Sequence, residues 1–516
     1  MADEETSKLS IADMASFCKR TGMIFQNSEI YGGFSGFWDY GPRGAEIKNN
    51  IKQSWWNTFV SSRDDVFGMD GTTITHPKVW VASGHVASFS DPLVDCRKCR
   101  SRIRADHLVE DTLKISINGM GLDALDASIK ENNIKCPLCG GDLTDARAYN
   151  LMFKTNVGPI DDDKSIAYMR PETAQLMFAN FRLIADGMRA RLPFGIAQMG
   201  KAYRNEISPR DFLFRSREFE QMEIEYFIRP DTIEDCKLLT EDMLKQKALF
   251  LSAAAQEEED EKHAEMTFGE ALKEKIIVNP HLAYWLILEY NWFTGLGIRP
   301  ENLRMRQHKK SELAHYAVGC VDIEYNFPFG WKEIYGLADR NTFDLDQHIK
   351  NSKKDLSLFD EELKKRVVPR VAAEPSQGVD RAFLAFMFDA YDKPEADHTI
   401  LHLHPKLAPA KVAVFPLMKK DGLGEMAQKI HESLKETVVS FYDASGSIGK
   451  RYYRMDEVGT PLCVTVDYDS LKNDDVTLRE RDTGNQVRVK ISALEGAVND
   501  ILAGKAKLED FGDFIN

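Results

Sequence analysis

The chain has 516 residues, of which 43% are hydrophobic, 10% aromatic and 29% charged. Such a composition excludes disordered and fibrous classes, and the length predicts two to four domains of roughly 100 to 200 residues. A net charge of -14 excludes a protein that coats nucleic acid through bulk charge but leaves room for a local basic groove.

No apolar stretch approaches the roughly 18 to 20 residues of a membrane-spanning helix. The acidic start, MADEETSKLS, lacks the basic-then-apolar order of a secretory signal, so a cytoplasmic location is expected.

The segment up to about residue 92 reads as helix, Gly-rich turn, helix and strand. Five glycines lie between Gly32 and Gly44 together with Pro42, after which Ile47, Ile51, Trp55, Phe59 and Val60 recur near helical spacing. A helix is predicted over 44–60 and a strand over 66–75, stopped at Pro77. A polar segment over about 93–150 looks inserted. From Tyr168 to Phe227 a helix precedes a hairpin rich in Arg and Glu.

Residues 232–274, with the run EEEDEKH, predict a charged helical stretch, and a helical insertion is expected over about 230–305. Strands follow at 321–325 and 331–338, and an apolar helix, RAFLAFMFDAY, starts after Gly378. Around Pro405 a linker feeds a buried strand. Helix and strand signals then alternate to the end, which predicts a second, α/β unit over 405–516.

Four of the eight cysteines form two pairs, Cys96-x2-Cys99 and Cys136-x2-Cys139. Two such knuckles supply four thiolates for a tetrahedral zinc, and a closed four-sulfur site is structural because no position is left for water. Unligated thiols or a redox pair would show the same spacing. Cys18, Cys236, Cys320 and Cys463 are isolated and read as ordinary thiols.

In KAYRNEISPRDFLFRSREFEQMEIEYF, arginines and glutamates alternate with apolar residues. A strand-turn-strand would hold several arginines beside carboxylates, either as surface salt bridges or as a polyphosphate site with carboxylates for Mg2+. No P-loop competes for that role, since GSIGKR at 446–451 has its glycines too close together and no Ser or Thr after the lysine.

Arg204-Asn205-Glu206 followed by Arg217-Glu218-Phe219 resembles motif 2 of the class II aminoacyl-tRNA synthetases, and Gly378-Val379-Asp380-Arg381 resembles motif 3. The helix over 44–60 and the strand ending at Pro77 look like motif 1, the dimer element. WDYGPRG, MRPETAQ and EPSQGVDR are similar to strings of the dimeric glycyl-tRNA synthetase family, and the C-terminal strings resemble its anticodon-binding domain.

The resemblance implies an α+β catalytic domain over 1–400, built on an antiparallel sheet, and an α/β anticodon-binding domain over 405–516. The activity implied is ATP-dependent ligation of glycine to its tRNA by a homodimer, with Mg2+ accompanying ATP and a structural zinc on Cys96, Cys99, Cys136 and Cys139. Arg204 would hold the α-phosphate and Arg381 the γ-phosphate, with Arg215 and Glu206 beside them and Phe219 against adenine. Glu333 and Glu374 fall near the metal and amino-acid end. Glu172, Glu223, Glu374 and Ser376 would surround the ammonium of glycine, although Glu172, after Pro171, also suits a helix N-terminus.

Three further expectations follow from the resemblance. Trp55 and Trp56 serve a two-fold interface. The closed cysteine site lies remote from the phosphates. Lys450, Arg451, Arg454, Arg479 and Arg481 meet the tRNA, in a tail of 16 Lys and Arg against 18 Asp and Glu.

Overall fold

The structure is a computed structural model that describes residues 9–115, 120–160, 162–257, 262–314, 316–395 and 398–515. In chain order, helices α1 (Ile11–Arg20) and α2 (Pro42–Trp56) lead to strand β1 (Val66–Met69) and the short helix α3 (Pro77–Ala82). Pro42 sits in the first turn of α2, where its fixed φ helps and its missing N–H costs nothing. The expected single strand over 66–75 is two pieces: β1 joins the main sheet, whereas Ile74–Thr75 pairs with Ile166–Met169 in a separate small sheet.

The cysteine-bearing insertion follows as β2 (Ser90–Asp95), β3 (Arg102–Arg104), α4 (Ala105–Leu113) and β4 (Arg147–Asn150). β2 pairs antiparallel with both β3 and β4. Its own core is small: Val94, Ala105, Leu108, Val109, Leu125, Ile129 and Ile134.

The central layer is a nine-stranded sheet, completed by β5 (Phe194–Tyr203), β6 (Glu218–Ile228), β7 (Lys247–Leu251), β8 (Ala264–Thr267), β9 (Leu303–Gln307), β10 (Gly319–Phe327), β11 (Gly330–Asp339) and β12 (Arg370–Gly378). The spatial order is β8-β7-β9-β10-β11-β12-β6-β5-β1, antiparallel except for β1 on β5 and β7 on β9. Side chains alternate along each strand, which divides the sheet's two faces. Met222, Ile224, Tyr226 and Ile228 of β6 face the main apolar core with α2 and two further helices, α6 (Pro280–Gly295) and α7 (Val379–Ala390). The opposite face of β6 carries Phe219, Gln221, Glu223 and Glu225, and becomes the floor of the site.

The expected helical insertion over 230–305 combines helix with strand. β7, β8 and β9 extend the central layer, and the long helix is α6, whose buried residues lie on every side. A helix apolar all round belongs inside a core. Four residues of the acidic run, 258–261, lie outside the described residues.

The C-terminal unit is a five-stranded sheet of β13 (Val412–Pro416), β14 (Ser440–Tyr442), β15 (Leu462–Val466), β16 (Asp475–Glu480) and β17 (Gln486–Lys490), in the order β14-β13-β15-β16-β17. One face packs on α8 (Leu423–Leu434) and α10 (Ile491–Leu502) in a core of its own. On the other side, Ala413, Phe415 and Cys463, with Met455 and Val458 from α9 (Ile448–Glu457) and its C-terminal end, join the main core.

The linker is fixed as well. The Lys411 ammonium donates to the carbonyls of Pro405, Lys406 and Ala408, and Asn50 of α2 donates to those of Leu407 and Ala408. Cutting at Pro405 would therefore bare part of the main core, so point substitutions are the sound way to separate the two units.

Candidate active site

Antiparallel register lines the floor up in rows. Across β5, β6, β12, β11 and β10, Gln198 pairs with Glu223, Glu223 with Ser376, Ser376 with Gly336, and Gly336 with Asp322. Residues from five strands, spread over 179 positions of sequence from Gln198 to Ser376, thus meet in one line.

Glu223 sits mid-row and is buried at 3% exposure. Its carboxylate accepts from the Ser376 hydroxyl at 2.6 Å, the Thr173 amide at 3.0 Å, Gln221 Nε2 at 3.0 Å, and the Thr173 hydroxyl. Glu172 lies alongside, 3.3 Å from His85 Nε2 and 3.1 Å from Gln175 Nε2. The structure thus brings Glu172, Glu223 and Ser376 together. Burial raises the pKa of Glu172, but His85, Arg340 and Gln175 outweigh it and hold the carboxyl low.

Glu374 belongs to the same cluster but is engaged from below: Arg340 Nη1 donates to it at 2.6 Å. Arg340 also forks onto Asp344 at 2.7 and 2.8 Å and lies 3.9 Å from the Tyr316 ring centroid. At 2% exposure it is the buried cation of an acidic cup. Burial dominates at Glu374: against Arg340, and with Glu223 and Glu172 adding, its carboxyl is pushed up to about 8. Glu225, fully buried with neither oxygen hydrogen-bonded, is raised as well, first by burial and then by Glu374.

Sequence reasoning missed Arg340, Asp344, Gln175 and Thr173. Thr173 and Gln175 lay within the quoted string MRPETAQ, and the signal for Arg340 and Asp344 was ADR at the end of β11 with a carboxylate four residues on.

Beside the cup, a cavity of about 380 Å³ is lined by Arg204, Glu206, Arg215, Phe219, Gln221, Glu333, Ser376, Asp380 and Arg381, among others. Arg204 follows β5 and is oriented by donating Nε to Pro171 O at 3.1 Å, with its guanidinium between the rings of Phe89 and Phe219 at 5.4 and 5.3 Å. Arg381, at the start of α7, pairs with Glu333 at 3.0 Å and lies 4.5 Å from the Phe214 ring. Arg215 Nη1 is buried without a hydrogen-bond partner. Converging arginines with spare donors and interleaved carboxylates suit a polyphosphate with a hard cation.

The Asp that opens α7 is tied on three sides. Asp380 accepts from Tyr40 Oη at 2.5 Å, Lys48 Nζ at 3.1 Å and the Glu220 amide at 2.8 Å, which fixes the first turn that aims Arg381. Arg217 is structural: its amide and guanidinium donate to the carbonyls of Gly36 and Ser35. Gly36 has φ +76°, and a Cβ there would lie 2.7 Å from Pro209, so the Gly-rich turn exists to let the arginine loop pass.

The four thiols converge. Cys96 Sγ lies 3.5 Å from Cys139 Sγ and Cys99 Sγ 3.7 Å from Cys136 Sγ, all within 4.8 Å of one another. A tetrahedron with metal–sulfur bonds of about 2.3 Å has edges of about 3.8 Å, so the donor set fits zinc. Both knuckles share one turn: Arg100 and Gly140 have φ of 63° and 69°, and their amides donate to Cys96 O and Cys136 O. With so small an apolar core behind them, serine at Cys136 is expected to abolish metal binding and loosen residues 96–140. Metal analysis and hydrogen exchange on that variant check it.

The insertion reaches the site through Asp91 and Arg104, which line the same cavity as Arg204 and Arg381, whereas none of the four cysteines lines it. One expectation fails here. Of the five arginines and lysines expected on tRNA, three face inward. Arg451 donates to the carbonyls of Pro416 and Gly446, Arg479 forks onto the buried Asp456 at 2.8 and 3.0 Å, and Arg481 holds the carbonyls of Leu403 and Gly459. Strand and helix cations that pair with buried acids cannot be told from RNA-facing ones by spacing. Lys450 and Arg454 remain on the surface.

Comparison with known proteins agrees with this geometry. Residues 153–369 match the family model "tRNA synthetase class II core domain (G, H, P, S and T)", and residues 411–501 match "Anticodon binding domain". The chain is 44% identical over 497 residues to a glycine–tRNA ligase of Caldanaerobacter subterraneus, covering 95% of this chain and 97% of that one. It is 45% identical to one of Acetivibrio thermocellus (94% and 97% covered) and 42% to one of Geobacillus thermodenitrificans (98% and 100%). The nine-stranded sheet with its row of polar floor residues is thus a class II synthetase core, and the chain belongs to the glycine–tRNA ligase family.

Proposed function

We propose that the polar face of the central sheet forms glycyl-adenylate, in a chain whose reaction is the ATP-dependent ligation of glycine to tRNA. The observation that carries the assignment of residues is the juxtaposition of the acidic cup at Glu172, Glu223 and Ser376 with the arginine-lined cavity one strand away.

The glycine carboxylate attacks the α-phosphorus of ATP and pyrophosphate leaves, so catalysis consists of placing two anions together and neutralising them. Arg204 holds the α-phosphate, Arg381 the γ-phosphate, and Arg215, with its free Nη1, adds a third fork. Phe219 stacks on adenine. Glu206 and Glu333 supply oxygen ligands for the Mg2+ that enters with ATP. Glu172 and Glu223 take the ammonium, and Ser376 and Thr173 hold Glu223 in place. Glu374 acts from beneath by fixing Arg340. Larger amino acids are excluded sterically, because a pocket gains nothing from a missing side chain. Zinc on the four cysteines is structural.

Of the segment expected at the two-fold interface, Trp55 turns inward while Ile74 stays exposed. Trp55 is fully buried and donates to Glu289 at 3.2 Å. Exposed apolar side chains instead cluster on the small sheet, α3 and α5 (Ala174–Met188): Ile74, Val81, Val157, Leu183 and Met188. Light scattering at micromolar concentration should give twice the chain mass. A cytoplasmic location suits these substrates, and among the described residues no helix is long and apolar enough to cross a membrane.

The test is pyrophosphate exchange with a panel of amino acids, then charging of tRNA. Glycine alone should support both, and equal exchange with alanine or serine contradicts the pocket. A pH signature accompanies it. Glu223, Glu225 and Glu374 are held above the ordinary carboxylate range, mainly by burial. An entering ammonium favours their ionised forms, so glycine binding releases protons, and the KM for glycine falls as pH rises toward about 8, the value to which Glu374 is pushed. Calorimetry in buffers of different ionisation enthalpy reads the released protons directly.

A further inference from the structure

His85 reaches the acidic cup from outside the central sheet, and the reaction described above leaves it without a part. It opens the single helical turn His85–Ser88 after α3, where Gly84 at φ 87° lets the chain reverse. Asn150 at the end of β4 holds that turn by donating to the carbonyls of His85 and Val86, each at 3.1 Å. The imidazole meets the ring of the buried Trp80 edge-on, with centroids 5.4 Å apart. Its other neighbour is Phe89, 5.3 Å away and four residues on, the aromatic ring that lies against Arg204.

Both ring nitrogens have polar partners. Nδ1 lies 2.8 Å from the Ser83 hydroxyl, and Nε2 lies 3.3 Å from Glu172 Oε2. An ionised carboxylate only accepts, so Nε2 carries a hydrogen. Ser83 suits either form of the ring that meets this condition: its hydroxyl donates to Nδ1 of a neutral imidazole, or it donates to Trp80 O at 3.3 Å and accepts from an imidazolium. In both forms the Nε2–H faces Glu172.

Glu172 depends on that donor. Burial raises its carboxyl, and His85 is the foremost of the groups that bring it down. Gln175 donates to Oε1 at 3.1 Å, but it lies three residues on and moves with the same segment. His85 comes from a different part of the chain, so it ties the carboxylate to the wall of the site. Each oxygen then holds one donor and keeps lone-pair capacity for another, which is what an arriving ammonium needs.

We propose that His85 is the positioning residue for glycine: through its Nε2–H it holds the Glu172 carboxylate where the substrate ammonium needs it, and so sets the affinity for glycine. The inference rests on the glycine-activating reading given above. A ring that merely packed between Trp80 and Phe89 would act differently, because its loss would be felt through Phe89 at Arg204, and hence in ATP.

The test uses the full-length protein and the variants His85→Leu, His85→Gln and His85→Asn. A glutamine amide nitrogen stands near the place of Nε2, whereas that of asparagine stands near Nδ1 and falls short of Glu172. Calorimetry gives the dissociation constant for glycine, and pyrophosphate exchange gives kcat with the KM for glycine and for ATP. His85→Leu should raise the glycine constant and the KM for glycine about tenfold or more, since it removes a hydrogen bond to a charged group. The KM for ATP, and kcat at saturating glycine, should stay within about twofold of the parent, as expected when binding rather than the chemical step is lost. His85→Gln should recover most of the glycine affinity, and His85→Asn should resemble His85→Leu.

A parental glycine constant in His85→Leu overturns the proposal, and so does a loss that falls equally on ATP. Should the leucine variant misfold by circular dichroism, the other two decide, and glutamine no better than asparagine overturns it. A parent that binds glycine in the calorimeter but supports no exchange refutes the activity reading instead, and the comparison of glycine constants still judges the contact.

Discussion

Alanine at Arg204 lowers glycine-dependent pyrophosphate exchange by at least about a hundredfold, and alanine at Arg381 does the same. Each substitution removes a charge-assisted fork made to a phosphate whose charge is rearranging, an effect of about 3 kcal/mol in transition-state terms. The fold should survive both. Arg204 is held by one carbonyl and two rings at the cavity edge, and Arg381 by the exposed Glu333, so neither leaves a buried charge behind. The loss should appear mainly in kcat, with modest change in the KM for glycine. Near-normal exchange in either variant, with an unaltered melting temperature, removes that arginine from its role.

Methionine at Arg340 has a larger effect and a different signature. The side chain is 2% exposed and is the cation on which Asp344 and Glu374 converge, with Glu172, Glu223 and Glu225 close by. Breaking a buried pair from one side typically costs about 3 to 5 kcal/mol, because the partner charge stays uncompensated. Since the orphaned carboxyls must take up protons to remain buried, the variant should be most destabilised at high pH and recover as pH falls below about 6. Exchange should be lost across the range. A melting temperature equal to the parent's at pH 8 would contradict the cup's dependence on this arginine.

The elements that sequence made legible share one property: their pattern is local. Near-helical spacing over 44–60 appears as α2, the arginine-rich hairpin as β5 and β6, and RAFLAFMFDAY as α7. The paired cysteines announced their cluster for the same reason. The tail's strand and helix order followed from alternation.

The failures are tertiary. Residues 232–274 look helical because acidic residues are frequent in them, yet they place two short strands at the margin of the sheet, with β8 the edge strand whose outer side tolerates charge. Trp55 reads as surplus apolar surface until Glu289 and the main core are seen to surround it. Arg451, Arg479 and Arg481 read as a basic cluster because nothing local shows that Asp456 and main-chain carbonyls claim two of them from the far side of a sheet and a linker claims the third. Arg340 was invisible for the converse reason: its partners Glu374 and Asp344 come from different elements, and only the register of β11 on β12 brings Glu374 to it.

The most direct measurement is a crystal structure with a non-hydrolysable glycyl-adenylate analogue. The glycyl ammonium should lie within hydrogen-bond distance of Glu172 and Glu223, with the adenine on Phe219 and the phosphate at Arg204. An analogue seated with its ammonium away from Glu223, or with its phosphate out of reach of Arg204, would contradict the assignment of this face of the sheet.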